Sequence, residues 1–169
     1  MEGNKTKPRA ILVFGAPCSG KTTFAARFAT KFSLAFYDLD ELKEEHKFTR
    51  KNIILILGLI TRTKQTIIIE GGLDTERERS EIRSLLYNAG YDPSLVWIQT
   101  DASTIRNRLK NKYHSLAKAK EAYNLAIDRI EAPSDAESPI ILSGKHTFET
   151  QAKHVISGLA DLSANDRKR

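Results

Sequence analysis

Cysteine is almost missing from this chain of 169 residues, Cys18 being the only one. No disulfide can close within it, so a disulfide-stapled secreted domain is excluded and a cytoplasmic setting is expected. Long apolar runs are missing too. The longest, IILILGLI at 53–60, is flanked by Lys51 and Arg62 and falls far short of the roughly 18 apolar residues that a membrane span needs. It reads as a buried helix face, and no membrane partner is expected. The leading MEGNKTKPR is basic, but the apolar run behind it is too short for a signal-peptide core. His46, His114, His146 and His154 show no ligand spacing with cysteine or acid, which argues against a protein-held zinc. No repeat or low-complexity segment interrupts the chain, and its length suits one domain over residues 1–169.

Positive charge is present, with a formal net charge of +6. Lys5, Lys7 and Arg9 outweigh Glu2 at one end, and Arg167, Lys168 and Arg169 outweigh Asp166 at the other, which leaves +2 for the body. Residues 1–8 and 164–169 are therefore expected to be flexible, solvated basic tails. A nucleic-acid partner is allowed by them but not favoured.

The body alternates. Five short runs of strand-like composition, at 10–14, 34–38, 66–70, 95–99 and 139–143, are separated by stretches of helical period. That order predicts an α/β chain with a five-stranded parallel sheet covered by helices on both faces. Asp74 and Asp101 stand where N-caps belong and Gly90 where a helix should stop. The Pro-, Ser- and acid-rich segment 131–139 reads as a connector before the last strand.

The most informative stretch is GAPCSGKTT at 15–23, which fits G-x-x-x-x-G-K-[ST] between a strand and a helix. Gly15, Ala16, Pro17, Cys18, Ser19, Gly20, Lys21, Thr22 and Thr23 are expected to wrap a nucleoside triphosphate. Consecutive backbone N–H groups and a helix N-terminus converge on the phosphates, and the glycines keep side chains out of the way. Lys21 supplies a point charge toward the β and γ phosphates and Thr22 a hydroxyl for Mg²⁺. Cys18 fills a free position of the motif. Asp38 and Asp40, two apart at the carboxyl end of the second strand, lie at the edge where open α/β sheets bind ligands. In-line phosphoryl transfer needs a carboxylate for the attacking hydroxyl, and Mg²⁺ takes one or two more.

GAPCSGKTT, DLDELK, TIIIEGGLDTERER, LVWIQTDASTIRNRL and IEAPSDAESPIIL follow one another along nearly the whole chain. In this the sequence resembles the small P-loop kinases, most closely the polynucleotide-kinase-like, AAA-type group, with shikimate and gluconate kinases further off. The resemblance implies a P-loop NTPase fold with sheet order 2-3-1-4-5, a short lid at about 109–120, and ATP and Mg²⁺ as cofactors. It makes Asp40 the general base, Asp38 a Mg²⁺-associated acid, and Glu70 a Walker-B-like acid near the metal. Arg108 matches an arginine that stacks on adenine, and Lys112 falls where many members carry a catalytic arginine. Because lysine lacks the planar fork of arginine, Arg106 is a candidate substitute. For the acceptor, Arg50 and Arg79 match basic positions. Arg79 and Arg83 share a helical face, although Glu76, Glu78 and Glu81 could pair with them along the helix. FTRKNI offers Arg50 without the glutamate that shikimate kinases add, which speaks against that substrate.

The function expected is an ATP-dependent kinase acting on a hydroxyl of a small-molecule or nucleotide-like acceptor. The alternatives are a non-catalytic ATP-binding module and a kinase of 5′-hydroxyl nucleic-acid ends. A GTPase is disfavoured, since the nearest match to its base-reading motif, NKYH, ends in His114 instead of aspartate.

Overall fold

The computed structural model describes residues 7–166. Five strands, β1 (Arg9–Phe14), β2 (Ala35–Asp38), β3 (Ile67–Glu70), β4 (Asp92–Gln99) and β5 (Ile140–Ser143), form one parallel sheet in the order β2-β3-β1-β4-β5. The helices are α1 (Lys21–Phe32), α2 (Leu39–Glu44), α3 (Arg50–Ile60), α4 (Glu76–Asn88), α5 (Ala102–Tyr113), α6 (Leu116–Arg129) and α7 (Phe148–Asp166). Two single 3-10 turns lie at Thr61–Thr63 and Asp135–Glu137.

The strands are apolar at successive positions because both faces of the sheet are covered. From β1, Ile11 and Val13 pack with Phe24 and Phe28 of α1 and Val155 of α7. Ala10, Leu12 and Phe14 point the other way, onto Ile53 and Leu57 of α3 and Ile82 and Leu86 of α4. The Phe14 ring stacks on Trp97 of β4 at 6.1 Å between centroids. In register, Val13 pairs with Glu70 and Glu70 with Asp38. Three strand ends thus open at one level beside the glycine loop.

Three details differ from the sequence reading. The run at 53–60 is helical but only half-buried: Ile53 and Leu57 are in the core, whereas Leu55 (63% exposed) and Leu59 face outward. Apolar residues one turn apart share a face, so a continuous run must expose its other side. The N-cap of α4 is Thr75, which forms a capping box with Glu78; Asp74 instead binds Arg129 at 2.9 Å. Finally, α7 continues to Asp166, past residue 164 where a tail is expected, and Pro8 is tied down by the Asp92 N–H. The remaining tail residues, 1–6 and 167–169, lie outside the described residues.

Two boundary readings hold. Asp101 caps α5 by accepting the Thr104 N–H, and the Lys145 ammonium, with Ser103 and Thr104, holds its carboxyl well below the usual carboxylate range. Gly90, at φ +82°, follows the end of α4.

Candidate functional site

The loop after β1 curls tightly. A Cβ at Gly15 would collide with the Ile98 carbonyl oxygen, and Gly20, at φ +105°, caps α1 with no side-chain acceptor over its leading N–H groups. Those donors are left for a ligand, as an anion site at a helix N-terminus requires. Ser19 is fully buried and its hydroxyl has no partner among the described residues.

Lys21 and Thr22 meet the same atom. The Lys21 ammonium lies 2.7 Å from Glu70 Oε1, and the Thr22 hydroxyl donates to that oxygen at 2.8 Å. Glu70 is buried, and its Oε2 has no partner among the described residues. Burial pushes the Glu70 carboxyl above its usual range, against the opposing pull of Lys21 and Thr22. For Lys21 burial is the largest influence and lowers the pKa, but Glu70, Asp40 and Asp38 together outweigh it and hold the ammonium above its ordinary value. Asp38 pairs in register with Glu70, and Asp40 accepts the Gly72 N–H two residues further on, so the three acids stand at one end of the β2–β3 pair.

Asp38 and Asp40 have different surroundings. Asp38 is the N-cap of α2, its Oδ1 accepting from the Asp40 and Glu41 N–H groups. Asp40 sits in the first turn and accepts the Gly72 N–H on Oδ1 at 3.0 Å. Gly71 and Gly72 both have positive φ, and a Cβ on Gly71 would lie 2.5 Å from Asp40 Cγ. The double glycine is therefore what lets the turn after β3 close against Asp40.

Arg108 and Lys112 line one cleft of about 510 Å³ with Lys21, Thr22 and Thr23. Arg108 donates to the Cys18 carbonyl at 2.9 Å and to the Gly144 carbonyl at 3.4 Å, joining the loop to the β5–α7 turn. Arg106 does not reach the cleft; it bonds the Ala102 carbonyl and lies over the Tyr123 ring, so it is no substitute for Lys112 there. Sequence reasoning missed the far wall of this cleft, Gly144, His146, Phe148 and Gln151. A Cβ on Gly144 would strike Thr100 and the Ser19 carbonyl. Its position just past a strand's carboxyl end was the available signal.

The acceptor expectations need correction. Arg79 is fully buried, and its fork closes on Glu137 at 2.7 and 2.9 Å. Its Nη1 donates to the carbonyls of Leu73, Asp74 and Glu131, and the guanidinium lies 4.8 Å from the Phe14 ring centroid. With its donors spent in the core it faces no acceptor, and its partner comes from the connector, not from its own helix. Arg50 is half-buried and binds Glu81 at 2.7 Å together with the Gly72 and Glu78 carbonyls. The glutamate absent from its own segment is thus supplied by α4. Arg50, Leu39, Lys43, Ile53 and Gly72 border a separate cavity of about 390 Å³.

Among the described residues no three His, Cys, Asp or Glu side chains converge as a metal cage. A nucleotide-borne Mg²⁺ needs only one or two carboxylates from the protein, most other ligands coming from phosphate and water. The Thr22 hydroxyl, Asp38 and the unpartnered Glu70 Oε2 fit that demand.

The fold and loop define a small P-loop kinase-like protein. The chain belongs to the AAA domain family, whose profile matches residues 11–133. Its fold is shared by a gluconokinase from Sinorhizobium meliloti 1021, with a TM-score of 0.70 at 16% identity over 95% of this chain and 97% of that one. The APS kinase of Mycobacterium tuberculosis, solved with AMPPNP and APS, superposes with a TM-score of 0.68 at 18% identity over 91% and 98%. Kti12 from Chaetomium thermophilum, solved with ADP-AlF3, gives 0.67 at 16% identity over 90% and 97%. Among curated proteins none matches.

Proposed function

We propose that this protein is an ATP-dependent phosphotransferase that moves the γ-phosphoryl group to a hydroxyl of a small-molecule or nucleotide-like acceptor. The observation that carries this reading is the meeting of Lys21 and Thr22 on Glu70 at the sheet edge beside the glycine loop, with Asp40 held on the turn that follows Glu70. A module that only bound nucleotide would have no use for Asp40 fixed by the Gly72 N–H.

Backbone N–H groups of Cys18, Gly20 and the start of α1 hold the phosphates, Pro17 having none and the Ser19 N–H being spent on the Ala16 carbonyl, and Lys21 passes from Glu70 to the β and γ oxygens. Thr22, Asp38 and Glu70 would hold Mg²⁺, which, when bound, neutralises charge on the phosphates. The acceptor oxygen bonds the γ phosphorus as the bond to the β-bridging oxygen breaks, releasing ADP. The acceptor's hydroxyl proton goes to Asp40, whose Oδ1 accepts the Gly72 N–H and whose Oδ2 has no hydrogen bond among the described residues. Arg108 steadies the loop and Lys112 closes the cleft over the nucleotide.

The test is an acceptor screen with γ-labelled ATP and Mg²⁺ against nucleosides, 5′-hydroxyl oligonucleotides, sugar acids and other small alcohols, with Lys21→Ala as the blank. A labelled product that depends on Lys21 supports the reading and names the acceptor. ATP binding without product across the panel favours the non-catalytic module, and no ATP binding overturns the whole scheme.

A further inference from the structure

The charge of the molecule is concentrated in one place. Between Ala102 and Lys120 stand Arg106, Arg108, Lys110, Lys112, Lys118 and Lys120, with no carboxylate. These six charges equal the net charge of the whole chain, offset in the body by an excess of acids elsewhere. The segment is the α5–α6 hairpin, held by a small apolar seam of Ile105, Leu109 and Ala119. Among the described residues none of the six forms an ion pair.

Helix periodicity divides the α5 cations between two faces. Arg108 and Lys112, four apart, face the nucleotide cleft. Arg106, Lys110 and Tyr113, spaced by four and three, share the opposite face, outside that cleft. The Tyr113 ring is 41% exposed and the Lys112 ammonium lies 5.8 Å from its centroid; on the same hairpin Arg106 lies over Tyr123 at 5.2 Å. Unpaired cations interleaved with an exposed ring suit phosphates spaced along a strand whose bases are free to stack.

We propose that the outer face of the α5–α6 hairpin docks single-stranded nucleic acid, with Arg106 and Lys110 on the phosphates and Tyr113 beneath a base. An anionic membrane fits less well. On α6, Leu116 and Ile127 fall on one side, while Leu125, about two and a half turns from Leu116, falls on the other. All three are exposed, so no single apolar face could lie in a bilayer surface.

The surface is separate from Lys21 and Asp40, so it stands or falls independently of phosphotransfer. The experiment is fluorescence anisotropy of the full chain with a labelled single-stranded RNA of about a dozen nucleotides, at about 50 and about 200 mM salt. Binding that weakens with salt is expected. Lys110→Glu should lose roughly tenfold and flatten the salt slope by about one phosphate contact. Tyr113→Ala should lose roughly fivefold or more, whereas Lys153→Glu on α7, the same change of net charge, should bind as the parent does. Absence of binding, or equal losses for Lys110→Glu and Lys153→Glu, overturns the proposal. A Tyr113→Ala protein with undiminished binding overturns the single-strand assignment, and capture by phosphatidylserine vesicles that Lys110→Glu abolishes, without RNA binding, assigns the face to membranes instead.

Discussion

Glu70 Oε1 holds the two loop side chains that the proposed reaction needs, so nucleotide must draw Lys21 away from a buried carboxylate. Asp40 is different: it touches neither Lys21 nor Thr22 and is fixed by a backbone N–H. Asp40→Asn should therefore cut kcat by orders of magnitude while ATP affinity stays within a few fold, measured by turnover and by calorimetric titration. An Asp40→Asn enzyme with parental turnover would remove its role as base. Gly71→Ala puts a methyl group against Asp40 at φ +80°. The expected outcome is a large fall in kcat with ATP binding kept, plus a lower Tm; unchanged kcat would show that the placement of Asp40 does not matter.

Among the elements, the connector 131–139 does more than span a gap. It carries Glu137 back to Arg79 of α4, and its first residue ties to the β3–α4 turn through the bond from Glu131 N–H to the Asp74 carbonyl. Breaking a buried ion pair from one side costs about 3–5 kcal/mol, so Glu137→Ala should lower stability by that order in a denaturant titration. The Arg79 hydrogen bond, with the Ser134 N–H, keeps the Glu137 carboxyl below its usual range despite burial. A depressed carboxylate stabilises the fold above its unfolded pKa, and that contribution is lost as pH falls through the folded value. The parent should thus lose stability on acidification below about pH 4.5 more steeply than Glu137→Gln; parallel curves would mean that the pair carries no such linkage. The strands and the glycine loop were legible in the sequence because their signals are local: apolar period, a motif of fixed spacing, caps within a turn. Arg79 was not, since its partner lies 58 residues away and a helix bearing three glutamates offered nearer partners. Arg50 was half legible for the same reason, its position fitting an acceptor helix but its Glu81 partner arriving from α4. The cationic hairpin was obscured by averaging charge over the body, where acids elsewhere cancel it.

At the scale of the molecule, every strand pairing is parallel and joins distant parts of the chain. Such topologies form slowly relative to their helices. Trp97, the only tryptophan, reports this directly because it stacks on Phe14 across the β1–β4 pairing. In stopped-flow refolding, its fluorescence change should lag the recovery of far-UV helical signal; simultaneous recovery would show that sheet and helices form in one step. The same central place of β1 has a consequence during synthesis. Of the five strands this one leaves the ribosome earliest, yet its neighbours on either side, β3 and β4, begin at Ile67 and Asp92. At about 5–20 residues per second, the nascent chain carries an apolar segment without a partner for several seconds, so slowing translation before β3 would lengthen the time in which a chaperone, or another nascent chain, can claim it.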